Sequence, residues 1–191
     1  MLSTWIRKFT KDCDSANKIA DIWANIISSA FVDGAYNHEK YIAAYQSAFG
    51  IKPKGGRLVD FVSFYQISLI LDCLDEQIES VVFDYILNHN SGIYYIYDTC
   101  LSVLPEEFES KKASRYLGAI ELLAKYKKSK GKLSFVIEWL NANKNENGKW
   151  DMGNTVNDKV YFPLSNSWRQ ISIREADCTY RIEKLIREVS V

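Results

Sequence analysis

Apolar residues recur at helical spacing along most of the chain. In the first clear case they occur at i, i+3, i+4, i+7, i+8 and i+11, which places them on one face of an amphipathic helix. These positions are Ile19, Ile22, Trp23, Ile26, Ile27 and Ala30. Ser15 is suited to cap the start of this helix and Gly34 to end it. The spacing therefore predicts a helix between these two residues.

The same reading predicts further helices after it. A short helix over 41–49 ends at Gly50, and a helix over about 58–74 is apolar nearly all round. Next comes a one-sided helix over 78–86, for which Asp75 is the expected cap. Leu104–Glu107 is expected to open another helical region, followed by apolar stripes over 113–124, 133–140 and 173–189. No convincing alternating strand pattern appears.

Two segments resemble each other. Tyr85–Tyr94 and Glu138–Trp150 each consist of a one-sided helix end, an Asn-rich turn and then Gly-x-aromatic. Repeated helix pairs are typical of arrays in which each hairpin buries its apolar face against its neighbours. The pattern predicts an all-α fold of antiparallel helical hairpins forming a partial α/α-toroid or a short solenoid. We expect a single helical domain over 1–191, with a sub-boundary near 50–57 at the linker-like Lys52–Gly56.

The stretch Trp139–Trp150 resembles the Gln-Trp type repeat of the terpenoid cyclase and protein prenyltransferase superfamily. The tail, Tyr161–Arg169 followed by Asp177–Arg181, is similar to the C-terminal end of bacterial toroid-like proteins of unassigned function. The resemblance covers roughly 133–185, with a weaker repeat back to about 58. It implies that Trp139 and Trp150 pack between helices.

The chain departs from the pattern of that superfamily. It is too short for a full ring, and the Asp-rich motif of the cyclases is missing. The prenyltransferase zinc triad needs Asp, Cys and His; Asp177 and Cys178 are adjacent candidates, but no His follows them. Neighbouring residues in a helix point about 100° apart, so the two would not share one metal. We therefore expect no metal and no cofactor, and the resemblance carries a fold rather than an activity.

Composition narrows the class of protein. Lys and Arg number 24 and Asp and Glu also 24, so the basic excess typical of nucleic-acid binders is absent. Cys13, Cys73, Cys100 and Cys178 are too scattered for a zinc ribbon or a secreted disulfide framework. No apolar run reaches membrane-spanning length, and the start does not resemble a secretory signal. A cytoplasmic location is expected.

The most unusual segment is 151–181, where polar and aromatic residues alternate. The candidate ligand-binding residues are Asp151, Tyr161, Trp168, Arg169, Tyr180 and Arg181. The arginines could form bidentate hydrogen bonds with a carboxylate or phosphate of a ligand. Arg–Asp ion pairs that hold a long loop in place explain the same residues. The weak catalytic candidates are Asp177, Cys178 and Asp72.

Three functions remain open. The first is a helical-repeat binding or interaction protein with a concave, aromatic-lined face, whose occupant is an unknown protein, an apolar small molecule or a second copy. The second is a toroid-type cyclase or transferase acting on an apolar ligand, which the aromatic content of 14% favours. The third is a nucleic-acid-associated helical protein, against which the neutral charge counts.

Overall fold

The computed structural model describes residues 1–53, 60–154, 156, 165 and 168–190. Within these residues it contains eight α-helices, one short 3-10 helix and isolated β-bridges but no strand, which confirms the all-α class. The helices belong to two compact units, Met1–Cys100 and Leu101–Val191. Half of the predicted sub-boundary near 50–57 lies outside the described residues, which end at 53 and resume at 60. The toroid or solenoid arrangement stays a prediction.

Among the helices described, none is both long enough and apolar enough to cross a membrane.

Unit 1 is built around its longest helix. Its helices are α1 Leu2–Phe9, α2 Asp14–Ala30, α3 His38–Phe49, α4 Phe64–Leu69 and α5 Glu76–Leu87. Helix α2 packs against α1, α3 and α4. Its buried residues are the small Ala16, Ala20, Ala24 and Ala30, which let neighbouring helices approach closely, together with Ile26 and Ile27. Ile19 and Ile22, at the front of the predicted apolar stripe, are only half-buried.

The ends of these helices test the cap predictions. The Asp75 carboxylate accepts hydrogen bonds from the backbone N–H groups of Gln77, at 3.1 Å, and Ile78, at 2.9 Å, as predicted. Gly50 ends α3 in the left-handed conformation, with φ of 70°. The predicted Ser15 cap is wrong, because α2 begins two residues earlier and Cys13 occupies its cap position.

The predicted helix over 58–74 is much shorter than expected. Residues 54–59 lie outside the described part, and only Phe64–Leu69 forms α4. Ser63 is extended because it pairs in a β-bridge with Tyr94. Helix α4 ends at Leu69, and Asp72 in the turn after it has a left-handed backbone with φ of 65°. Phe61, Val62, Ile67, Leu69 and Ile70 are buried, whereas Phe64 and Leu71 are half-buried.

A tight turn follows α5. Ile93 and Tyr97 exchange backbone hydrogen bonds of 2.7 and 3.0 Å, which places Tyr95 at the tip with φ of 77°. Gly92, with φ of 59°, enters the turn, and a Cβ atom there would lie 2.3 Å from the carbonyl oxygen of Tyr97 and 2.5 Å from that of Thr99. Only glycine fits this position.

Unit 2 contains α6 Lys111–Leu123, α7 Ser134–Ala142 and α8 Ile171–Ser190. Helix α6 begins later than the predicted opening at Leu104–Glu107, because the Ser110 hydroxyl caps it by accepting from the N–H of Ala113 at 3.0 Å. The apolar stripe predicted over 113–124 is buried throughout. In α8 the buried line runs through Cys178, Ile182 and Leu185.

The two segments predicted as repeats share local structure. In each, an Asn side chain after the helix donates to the carbonyl four residues back, Asn88 to Asp84 at 2.9 Å and Asn143 to Trp139 at 2.8 Å. Gly92 and Gly148 then both have positive φ. The likeness extends from the helix end to the glycine.

Trp150 is buried, and its indole N–H donates to the carbonyl of Leu140 at 2.6 Å. The Trp139 ring packs edge-on against Phe108 and Tyr116, with ring centroids 5.3 and 5.7 Å apart. Both side chains therefore have packing roles within unit 2.

We expect Gly92→Ala to destabilise unit 1 strongly, because the new Cβ meets backbone atoms that cannot move independently. Gly50→Ala is the matched control: it has a similar positive φ but open space around the position. The control should cost about 1–2 kcal/mol for its backbone conformation alone, and Gly92→Ala roughly twice that or more. Urea unfolding of both variants measures this, and equal losses would contradict the clash.

Candidate functional site

Asp151, a candidate ligand contact, is held by an ion pair within unit 2. Arg174 of α8 donates to it through Nε and through Nη2, the latter 2.6 Å from Oδ2, and the N–H of Gly153 donates at 2.8 Å. The bond from Arg174 outweighs partial burial and holds the pKa of Asp151 below its usual value. The carboxylate is thereby a fixed anion that ties the residues after Trp150 to α8.

Asp177, a catalytic candidate, is buried on α8 and accepts three hydrogen bonds. Ser165 donates from its backbone N–H and its hydroxyl, each at 3.0 Å, and the indole N–H of Trp168 donates at 2.7 Å. The carbonyl of Trp168 accepts from Arg174 Nη1 at 3.2 Å. The structure therefore brings Asp151, Trp168 and Asp177 into one cluster, in which Arg174 joins Asp151 to the Trp168 carbonyl and the Trp168 indole joins Asp177.

Cys178 is 1% exposed, and burial raises the pKa of its thiol to about 11 against a weaker opposing backbone hydrogen bond from Met152. A nucleophilic cysteine needs the thiolate form and access to its reactant. In this environment Cys178 is a small apolar side chain of the core.

Arg181 connects α8 with α6. Its guanidinium donates to the Glu121 carboxylate through Nε at 2.5 Å and Nη2 at 3.2 Å, and Nη2 also reaches the carbonyl of Ser114 at 3.2 Å. This bidentate geometry is the one that suits a carboxylate, and here the carboxylate belongs to the chain itself.

The remaining candidates are dispersed. Tyr180 and Arg169 are exposed, and Tyr161 lies outside the described residues. Asp72 belongs to unit 1, where its half-exposed carboxylate pairs with Lys11 at 3.4 Å. Over the ranges that can be described, no three His, Cys, Asp or Glu side chains group as a metal site would require. The ligand-binding role of Tyr161, Arg169 and Tyr180 and the catalytic role of Asp72 stay predictions.

A polar cluster in unit 1 was not predicted from the sequence. The Asp60 carboxylate accepts from the Tyr85 hydroxyl at 3.1 Å and the backbone N–H of Val62 at 2.8 Å, and contacts His89 Nε2 at 2.9 Å. The ring of Tyr36 stacks on Tyr85 with centroids 4.6 Å apart. Tyr36 in turn contacts the other histidine of the chain, His38, through its hydroxyl at 3.2 Å.

Both ring nitrogens of His89 face acceptors, since Nδ1 lies 3.1 Å from the carbonyl oxygen of Gly92. The hydrogen bond with Asp60 outweighs burial and raises the pKa of His89. Burial alone would raise the pKa of Asp60, but its hydrogen bonds, led by that from His89, lower it. The imidazolium form satisfies both contacts, so neither nitrogen is left to act as a base. The pair fastens Asp60 to the end of α5.

Helix α1 is attached to unit 1 by its polar side. The Thr4 hydroxyl is buried and donates to the carbonyl of Tyr65 at 3.1 Å. One turn later, Arg7 donates through Nη2 to the carbonyl of Leu71 and to the Cys73 sulfur, each at 3.2 Å, and through Nη1 to Asn17. The inward side of α1 is therefore hydrophilic.

The opposite side of α1 is apolar and exposed. Leu2, Trp5 and Phe9 occur at i, i+3 and i+7, which places them on one face, and we call them the outer face of α1. Their exposed fractions are 74%, 42% and 80%, and Met1 before them is 73% exposed. Single exposed apolar residues are ordinary, but three on one helical face are less so.

Successive ring contacts lead from Trp5 through the half-buried Phe64 and Tyr65 to the exposed Tyr95 and the half-buried Tyr94. From Trp5 the centroid distances are 6.0 Å to Phe64, 5.4 Å on to Tyr65, 5.2 Å to Tyr95 and 4.0 Å to Tyr94. We call these five residues the aromatic row. Tyr95 is 58% exposed at the tip of its turn.

None of the predicted helices covers α1. Leu2, Trp5, Ile6 and Phe9 recur at helical spacing, and this is the signal that could have found it. The Asp60–His89 pair leaves no such signal, because the two residues are distant in sequence and neither belongs to a motif.

We expect the free energy of unfolding to depend on pH through the Asp60–His89 pair. The raised pKa of His89 makes its contribution complete below the ordinary value of 6.5 and lost as pH rises through the folded value. The lowered pKa of Asp60 makes its contribution complete above 3.8 and lost as pH falls through the folded value. The pair therefore contributes its full stabilisation between the two ordinary pKa values, that is, between pH 3.8 and pH 6.5.

His89→Gln should cost about 1 kcal/mol near pH 6 and flatten the decline above pH 6.5. Urea unfolding across pH measures both effects. His38→Gln, a change at the exposed histidine, is the matched control and should keep the wild-type slope. A decline that survives His89→Gln would rule the pair out as its cause.

We expect Cys178 to resist alkylation in the folded protein. With a pKa of about 11, roughly one thiol in a thousand is ionised at pH 8, and burial restricts access further. Iodoacetamide labelling followed by peptide mass spectrometry should modify the half-buried Cys13, Cys73 and Cys100 first, and Cys178 only after denaturation. Early labelling of Cys178 would restore it as a nucleophile candidate.

In the comparisons with known proteins, no family model matches the chain, and neither a curated protein nor a solved structure matches it.

Proposed function

We propose that this chain is a binding module, with no chemical step of its own, that docks on a larger surface through the outer face of α1. The carrying observation is the orientation of α1. Its polar Thr4 and Arg7 face the protein, while Leu2, Trp5 and Phe9 face outward. Exposing such a face costs free energy, since each large apolar side chain gains about 1.5–3 kcal/mol on full burial. A docking partner would recover it.

The contacts made by the other candidate residues support the proposal of a binding module. In unit 2 the charged groups that could have formed a ligand pocket bind each other, as Asp151 does with Arg174 and Arg181 with Glu121. In unit 1 the Asp60–His89 pair uses both imidazole nitrogens. The apolar outer face of α1, with the aromatic row beside it, is the surface that would gain free energy by binding a partner.

This proposal keeps the first of the three functions and moves its surface to unit 1. The toroid-type enzyme acting on an apolar ligand and the nucleic-acid-associated protein stay predictions from the sequence.

Site-specific photo-crosslinking tests the docking face. The photoreactive amino acid p-benzoylphenylalanine replaces Phe9 in one variant and Val32 in another, in cells that make the protein. Val32 is a matched control because it is 63% exposed, apolar and in the same unit but outside α1. We expect irradiation to give a covalent adduct, to protein or to lipid, from position 9 and not from position 32.

Phe9→Ser should separate docking from folding. Because the side chain is 80% exposed, the free energy of unfolding should change by no more than about 0.5 kcal/mol. The same change, introduced beside a photoreactive residue at Leu2, should abolish the adduct. No adduct at position 9, or the same adduct from positions 9 and 32, would refute docking through α1.

A further inference from the structure

We infer that the occupant of the outer face of α1 is an anionic lipid surface. This inference rests on the proposed function and names the partner of the same face. The outer face combines Leu, Trp and Phe, the residues that interfacial helices bury at the boundary between headgroups and acyl chains. In such helices the polar side usually faces water; in α1 it is bound to the protein, so unit 1 itself would rest on the lipid.

The charges beside the outer face have one sign within α1. Arg7 is bound on the inward side, so the charged side chain of α1 at the outer face is Lys8. The helix has no acidic residue, Lys11 follows it, and the first acid is Asp12. The Lys8 ammonium is exposed and lies 5.1 Å from the centroid of the Trp5 ring, at the edge of the outer face. A cation at that level complements the phosphate and carboxylate groups of anionic lipids.

Lys11 can contribute as well. Its partner is Asp72, at 3.4 Å, and the two side chains are 53% and 51% exposed. Exposed ion pairs of this kind are weak and screened by salt. Lys11 can therefore exchange Asp72 for a lipid phosphate without leaving a buried charge behind.

The aromatic row extends the contact beyond α1. Tyr65, Tyr94 and Tyr95 continue from Trp5 and Phe64 through successive ring contacts. Trp and Tyr concentrate at the level of lipid headgroups, because each has an apolar ring and a polar group. The exposed Tyr95 fits this environment with its ring inward and its hydroxyl among headgroups.

A second copy of the chain fits the same face less well. In a two-fold symmetric contact each outer face would meet its own copy. Lys8 would then approach another cationic α1 that offers no acidic side chain. Charge complementarity thus favours an anionic lipid surface over self-association.

Vesicle co-sedimentation of the full chain tests the inference. One set of vesicles is pure phosphatidylcholine and the other contains roughly a third phosphatidylserine, at low and at physiological salt. We expect binding to the phosphatidylserine vesicles that weakens with salt and is much weaker on pure phosphatidylcholine. Phe9→Ser should lower the partition constant at least about tenfold and Lys8→Ser about fivefold, with Val32→Ser unchanged.

The outcomes separate this inference from the proposed function. Absence of sedimentation with phosphatidylserine vesicles, or sedimentation that Phe9→Ser leaves unchanged, overturns lipid docking. If a protein adduct still forms at position 9 in cells, the docking face stands and its occupant is a protein. A dimer that Phe9→Ser dissociates, seen by light scattering without vesicles, assigns the face to a second copy and also overturns the lipid partner.

Discussion

The guanidinium of Arg7 is the contact on which the proposed surface depends. It reaches α2 through Asn17 and the turn after α4 through Leu71 and Cys73. Because one planar group satisfies three acceptors, the rotation of α1 about its axis is fixed. With Arg7 inward, the side chains half a turn away must point outward. The exposure of Leu2, Trp5 and Phe9 is therefore set by a polar interaction rather than by any apolar preference.

Carboxylates perform a comparable task elsewhere in the molecule. Asp60 gathers donors from Val62, Tyr85 and His89, and in unit 2 Asp177 gathers donors from Ser165 and Trp168. In each case an acidic side chain joins an irregular segment to a helix or its end. The polar residues that the sequence suggests as catalytic or ligand-binding candidates are largely the ones that position loops.

Helices that follow from apolar periodicity were predicted from the sequence. The prediction failed where a contact between residues distant in sequence determines the secondary structure. The stripe of α6 and the cap at Asp75 were visible, because both depend on residues a few positions apart. The helix over 58–74 was shortened by pairing between Ser63 and Tyr94, which no local pattern contains. The spacing of apolar residues could have predicted helix α1 itself but not its orientation, because an apolar stripe alone does not say whether it faces the core.

Gly92 has a consequence for how this sequence can vary. Every other amino acid carries a Cβ, so every codon change that alters this residue introduces the same collision with the carbonyls of Tyr97 and Thr99. Residue 92 cannot change through a series of substitutions by side chains of increasing size, as surface residues can. Any chain that shares the turn from Ile93 to Tyr97 must retain glycine before it. That fixed point is a landmark by which distant relatives of this protein can be aligned.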